Sequence, residues 1–203
     1  MFSQNLEERV ILNYFGDFKG TLLDAGANDG VTFSNSRQLM LNGWRGYFFE
    51  PSGVCADLAD LYNGNRKAYI HHCGIGGYTR DEILQESGAH VPNGKDKALV
   101  STIIMQETAK WRGVEFNPLE IRVLGFKEFW ERETPTLDFI TIDIEGMDWE
   151  LLQAIDLTAV GCKCLCIEWN SNKALGEQFK SYCTVKHGMR LLHTNAENMI
   201  FAL

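Results

Sequence analysis

The feature that most narrows the fold is a series of short, nearly all-apolar runs separated by amphipathic stretches along almost the whole chain. A strand with one wet face alternates apolar and polar residues, whereas a run with no polar side to show must be covered on both faces. Residues 21–27, 46–50, 68–73, 138–143, 162–169, 190–193 and 198–202 read as strands on this ground. Helical stretches lie between them at 4–14, 35–41, 54–62, 148–154 and 174–186. This alternation implies an α/β fold, a mostly parallel Rossmann-like sheet with helices on both faces. Only residues 194–197 separate the last two strands, too few for a crossover helix, so these two should pair antiparallel and the other neighbours parallel.

A chain of 203 residues with 45% apolar residues sustains one core, and we read residues 1–203 as a single domain. Residues 77–120 interrupt the pattern. They are polar, with HVPNGKDK as a turn-rich middle and STIIMQETAKWR as a short helix, and a segment of this kind is expected to form a lid over an acceptor site.

Charge excludes some partners. A net charge of -8 repels a phosphate backbone, so no nucleic-acid partner is expected. The apolar runs fall far short of the roughly 18 residues of a spanning helix, so no membrane partner is expected. The start, MFSQNLEERV, is charged early and has no apolar signal core, which predicts a cytoplasmic location. The six cysteines read as buried thiols. Cys162, Cys164 and Cys166 would share one strand face with the outer Cα atoms about 13 Å apart, too far for one metal ion.

The string LLDAGANDGVTFSNS joins a strand to a helix through a glycine-bearing turn, the geometry that brings backbone N–H groups to a ligand above a sheet. A nicotinamide or flavin site would show G-x-G-x-x-G. Here the string is D-x-G-x-x-x-G, with Asp24 at the first glycine position and Asp29 at the third. An acid beside the turn repels a pyrophosphate but suits a ligand with ammonium and sulfonium groups, such as S-adenosylmethionine. The second strand ends in Glu50, whose carboxylate is placed to accept both ribose hydroxyls.

In these motifs the chain resembles the FkbM-type methyltransferases, a branch of the class I S-adenosylmethionine-dependent enzymes. The resemblance runs through FSQNLEE, LDAGANDGVTFSNS, GWRGYFFEPS, LDFITIDIEGMDWELLQAI, CIEWN and NMIFA, in that order. It implies a seven-stranded sheet with an antiparallel last strand and methyl transfer to a hydroxyl of a sugar or related small metabolite. It also implies that Asp24, Gly26, Asn28 and Asp29 surround the amino-acid end of the cofactor and that Glu50 holds the ribose. The loop HHCGIG would then lie along the adenine, with His72 and Cys73 as its contacts.

Methyl transfer needs an acceptor that is positioned and deprotonated. The strand ends TIDIEG and CIEWN bring Asp143, Glu145, Glu168 and Asn170 to one rim. Two roles stay open. A carboxylate, foremost Glu145, acts as general base with its pKa raised by burial beside like charges. Alternatively, Asp143, Glu168 and Asn170 supply oxygen ligands to Mg²⁺, which lowers the acceptor's pKa. Trp169 is the tryptophan expected on the rim, with Trp44, Trp111 and Trp149 in the core. Two rival functions remain open on the sequence: a nicotinamide-dependent oxidoreductase on a similar sheet, and a non-catalytic module that binds S-adenosylmethionine.

Overall fold

The computed structural model describes residues 1–89 and 97–203. Its strands are Thr21–Ala25 (β1), Arg45–Phe49 (β2), Ala68–His71 (β3), Gly74–Gly76 (β4), Arg80–Ser87 (β5), Phe116–Gly125 (β6), Phe139–Ile142 (β7), Cys164–Glu168 (β8), Arg190–Thr194 (β9) and Asn198–Ala202 (β10). The α-helices are Glu7–Phe15 (α1), Arg37–Leu41 (α2), Cys55–Leu61 (α3), Phe126–Glu133 (α4), Asp148–Ala154 (α5) and Lys173–Lys180 (α6), the last continuing as a π-helical turn over Ser181–Lys186. Among the described residues no helix is long and apolar enough to cross a membrane.

Seven strands form one sheet in the order β3-β2-β1-β7-β8-β10-β9. The chain moves outward from β1 through β2 to β3, then returns to β7 on the other side of β1, which makes the β1–β7 gap a topological switch point. β9 and β10 pair antiparallel, as the short link requires. The expectation that all other neighbours run parallel fails at β8–β10, which is antiparallel as well. The reason is geometric: β10 folds back into the slot between β8 and β9 and so opposes both.

Burial follows the pleat. Leu23, Ala25, Ile140, Ile142, Leu165 and Ile167 pack with Phe126, Phe129, Leu152 and Phe179 from α4, α5 and α6 on one face. Leu22, Phe48, Phe139, Cys164 and Cys166 pack with Ile11, Phe15, Leu39 and Leu58 from α1, α2 and α3 on the other. Both faces are covered, which is why these runs carry so few polar residues. Helix α4 was not predicted by the alternation. It begins directly after β6, and its eight residues bury only Phe126 and Phe129, too little periodicity to announce itself.

Residues 77–120 contain more regular structure than expected. β5 and β6 pair along an antiparallel ladder from Arg80↔Val123 to Ser87↔Phe116, and β4 joins β6 in parallel, giving a second, three-stranded sheet. Leu84, Ile121 and Val123 form its small core with Ile103 and Leu119. The expected helix reduces to a 3₁₀ segment, Met105–Lys110, because Thr102 is drawn into an extended bridge with Gln85. The turn-rich HVPNGKDK, except Lys97, lies outside the described residues.

Candidate active site

Register sets the floor of the site. Ala25 pairs with both Phe49 and Ile142, and Ile142 pairs with Ile167, so the residues that follow them, Gly26, Glu50, Asp143 and Glu168, stand in one row along the carboxyl edge of the sheet. A cavity of about 720 Å³ opens over this row. The second sheet walls it with Leu84, Ile121 and Val123, and the segment after β5 adds Ala98, Val100 and Ile103. Two hydrogen bonds fasten this wall to the row: Thr102 Oγ1 donates to the Glu145 carbonyl at 2.8 Å, and Asn28 Nδ2 donates to the Lys97 carbonyl at 3.1 Å.

The turn after β1 has room for nothing larger than glycine at residue 26. With φ at +85°, a Cβ there would lie 1.8 Å from the Asp143 carbonyl oxygen. Asn28 follows in the left-handed region, φ +48°, and its N–H donates to Glu50 Oε2 at 2.8 Å. Ser52 donates to Glu50 Oε1 from its N–H at 2.8 Å and from its hydroxyl at 2.5 Å. A carboxylate offers about four lone-pair sites, so Glu50 keeps one vacancy, on Oε2. Accepting both ribose hydroxyls, as the sequence suggested, therefore requires the Ser52 hydroxyl to turn away.

Asp143, Glu145 and Glu168 bring carboxylate oxygens within 4.8 Å of one another. Burial pushes all three pKa values up, and neighbouring charge adds to it: Asp148 and Asp24 at Asp143, where a hydrogen bond with Glu168 opposes the rise, Asp143 and Asp148 at Glu145, and Asp143 and Glu145 at Glu168. Asn170 hydrogen-bonds Glu168 and opposes the rise there. Asp148, at the start of α5, braces the loop by accepting from Ile144 N–H and Gly146 N–H, each at 3.1 Å. Between those two amides Glu145 is held at φ +51°. Of the non-glycine residues with positive φ, Asn28, Phe33, Ala98, Glu145 and Asn170 all line this one cavity. Backbone strain concentrated in this way marks a functional site.

Among the residues singled out from sequence, Gly26, Asn28, Glu50, Asp143, Glu145, Glu168 and Asn170 border the cavity, and Asp24, Asp29, His72 and Cys73 do not. Asp24 is the residue before Ala25 in the pleat, so its side chain points to the α1–α3 face, where it accepts from Ser36 Oγ. Burial drives its pKa to about 7, the Ser36 hydrogen bond opposing and Glu50 adding. Asp29 is occupied by its own turn, accepting from Val31 N–H, Thr32 N–H and Thr32 Oγ1. His72 is exposed and Cys73 packs against the core, so the HHCGIG loop meets the cavity through Gly74, Ile75 and Gly76 instead. Trp169 is also not a wall residue: its Nε1 donates to the Asn195 carbonyl and its ring lies against Gly176. The tryptophan that lines the cavity is Trp111. Gln4, Asn35, Arg80 and Asn198 line it too and were missed, although Gln4, Asn35 and Asn198 fall within the motifs FSQNLEE, FSNS and NMIFA.

The sequence profile of the methyltransferase FkbM domain matches residues 24–191. The chain belongs to the FkbM methyltransferase family. The match supports an S-adenosylmethionine-dependent methyltransferase domain over residues 24–191 rather than the nicotinamide alternative. In fold, the FkbM chain is similar to the methyltransferase FkbM from Methylobacillus flagellatus KT, with 15% identity and a TM-score of 0.57 over 91% of this chain and 44% of that one. It thus spans less than half the length of that protein. A putative RNA methyltransferase from Pyrococcus horikoshii is similar over 98% of this chain and 84% of its own, with 12% identity and a TM-score of 0.53. The 16S rRNA N2 G1207 methyltransferase of T. thermophilus, solved with AdoMet and guanosine, has 14% identity and a TM-score of 0.50 over 97% of this chain and 41% of its own. No curated protein sequence matches the chain.

The FkbM cavity suits the cofactor. Its volume lies in the usual range of roughly 300–1,000 Å³ for small-ligand sites. Its rim of carboxylates complements sulfonium and ammonium charge, and Glu50 retains an acceptor site for a ribose hydroxyl.

Proposed function

We propose that this FkbM chain is an O-methyltransferase that moves the methyl group of S-adenosylmethionine to a hydroxyl of a small glycan, sugar or related metabolite. The observation that carries this reading is the convergence of Asp143, Glu145 and Glu168 beside the glycine turn of β1. The cofactor supplies a methyl group already activated on a sulfonium, so the chain's own work is to orient the acceptor and take its proton. Gly26, Asn28 and Glu50 hold the cofactor at the β1–β2 end. As the acceptor oxygen bonds to the methyl carbon and the carbon–sulfur bond breaks, the hydroxyl proton passes to Glu145. A raised pKa makes Glu145 a stronger proton acceptor than an ordinary carboxylate. The β5–β6 sheet and the segment after β5 act as the lid, excluding water from the acceptor.

A second reading rests on the same distances. Three carboxylates with oxygens within 4.8 Å, together with Asn170, form an oxygen-only donor set suited to Mg²⁺, which would lower the acceptor's pKa directly. One experiment separates them. Release of S-adenosylhomocysteine is followed over a panel of sugars and methyl glycosides, with wild type, Glu145→Gln, and wild type in chelator. A direct base predicts retained cofactor affinity and a loss of about two to four decades in turnover for Glu145→Gln, with no effect of chelation. A metal predicts loss in chelator and recovery with Mg²⁺. Full turnover in all of these conditions refutes both roles.

A further inference from the structure

Asp143 and Glu168 are placed by the sheet, since each directly follows a residue held in the β7–β8 ladder, Ile142 and Ile167. Glu145 stands farther out, past the paired register of β7. It also adopts φ +51°, a left-handed backbone that a residue with a side chain takes only at a cost. What holds it there is the peptide plane between Glu145 and Gly146, which is gripped at both ends. The Gly146 N–H donates to Asp148 Oδ2 at 3.1 Å, and the Glu145 carbonyl accepts from Thr102 Oγ1 at 2.8 Å. The chain just before is anchored by the Ile144 N–H on Asp148 Oδ1. A peptide unit is rigid, so fixing this plane fixes the rotation about the Cα–C bond of Glu145 and with it the direction of the side chain.

The two grips differ in origin. Asp148 belongs to the same loop and is always at hand, whereas Thr102 is carried by the second sheet. Its backbone pairs with Gln85 of β5 in both directions, the Gln85 N–H donating to the Thr102 carbonyl at 2.8 Å and the Thr102 N–H to the Gln85 carbonyl at 3.2 Å. Thr102 is 1% exposed and does not line the cavity, so it meets no substrate. Its hydroxyl accepts from the Ile104 N–H at 3.0 Å, which leaves its single O–H for the Glu145 carbonyl. The two layers touch closely at this point: a Cβ on Gly146 would lie 2.9 Å from Ile104 Cδ1. The wall does not depend on Thr102 to stay seated. Asn28 Nδ2 holds the Lys97 carbonyl, and the Gly53 N–H donates to Glu86 Oε1 at 2.6 Å.

We propose that Thr102 is a positioning residue for methyl transfer: its hydroxyl, carried on the second sheet, aims the Glu145 carboxylate at the acceptor oxygen. This role rests on the methyltransferase reading of the cavity, in which Glu145 acts on the acceptor hydroxyl. Thr102→Val keeps the shape of the side chain and the backbone bridge to Gln85 but has no donor, Thr102→Ala lacks both hydroxyl and methyl, and Thr102→Ser keeps the donor. Release of S-adenosylhomocysteine is followed with sugars and methyl glycosides, and binding of S-adenosylhomocysteine is measured by calorimetry. Displacing a reacting group by about 1 Å costs on the order of a hundred-fold, so Thr102→Val and Thr102→Ala should lower kcat by about ten- to a hundred-fold. KM for the acceptor and affinity for S-adenosylhomocysteine should stay within about three-fold of wild type, and Thr102→Ser should recover most of the lost turnover. A purely structural role would instead weaken ligand binding along with turnover. Wild-type kcat in Thr102→Val or Thr102→Ala, a loss matched by weaker S-adenosylhomocysteine binding, or Thr102→Ser no better than Thr102→Val overturns the inference alone. Full turnover in Glu145→Gln, or no transfer by wild type to any compound, overturns the reading of the site and the inference with it.

Discussion

Replacing Asp24 by Asn should make the protein more stable at pH 8 and leave it nearly unchanged near pH 4. Asp24 is 5% exposed, and burial raises its pKa from 3.8 to about 7. At about 1.36 kcal/mol per pH unit, holding this group in the fold opposes folding by as much as about 4 kcal/mol once the pH exceeds 7. The sign follows from proton binding. Between the unfolded value near 4 and the folded value near 7 the native state holds the extra proton, so stability falls as pH rises through that window and is level outside it. Asparagine carries no charge, and its Oδ1 still accepts from Ser36 Oγ. The measurement is thermal or urea unfolding of wild type and Asp24→Asn at pH 4, 6 and 8. In a chain of 203 residues each kcal/mol corresponds to roughly 2–4 °C in Tm, so a gain of several degrees at pH 8 is readily seen. A variant no more stable than wild type at pH 8, or one with the same gain at pH 4, would show that Asp24 is not held against its own burial.

Glu50→Ala removes the ribose acceptor and the anchor of Asn28 N–H and Ser52, and should weaken S-adenosylmethionine binding by about 1.5–3 kcal/mol in calorimetry, with Glu50→Gln less affected; unchanged affinity removes Glu50 from the cofactor site. Gly26→Ala drives a Cβ to 1.8 Å from the Asp143 carbonyl at a left-handed φ, so it should lower stability by more than about 1 kcal/mol and reduce cofactor affinity; a wild-type Tm would mean the turn is freer than its geometry. Asp148→Asn keeps one acceptor for the amides of Ile144 and Gly146 but removes a negative neighbour of Glu145. It should shift the basic group in the pH profile of turnover to lower pH, and an unshifted profile separates Asp148 from that group.

Most of the sheet was legible because burial on both faces leaves a mark in one dimension. Phe139–Ile142 and Cys164–Glu168 are apolar almost without interruption, and the four-residue link before Asn198 forces a reversal. The residues at strand ends were legible for the same reason: Glu50, Asp143 and Glu168 each terminate an apolar run, and register alone aligns them. What the sequence by itself determined was therefore the layered sheet, its glycine turn and the row of acids along its edge. The direction of side chains was settled only in three dimensions. Asp24 and Glu50 look equivalent in the string, but the pleat turns Asp24 under the sheet toward Ser36, while Glu50, one residue past the end of β2, is turned into the cavity. The second sheet was hidden because β5 and β6 bury just three apolar side chains between them and a long separation in sequence joins their ladder. Asn35 was hidden for a similar reason: its contact with Cys166, and through Cys166 with Asn198 and Glu7, joins residues remote in sequence that meet only when β8, β10 and α1 pack together. Local pattern records which residues must avoid water, whereas partners and pointing directions come from contacts between segments far apart in the chain.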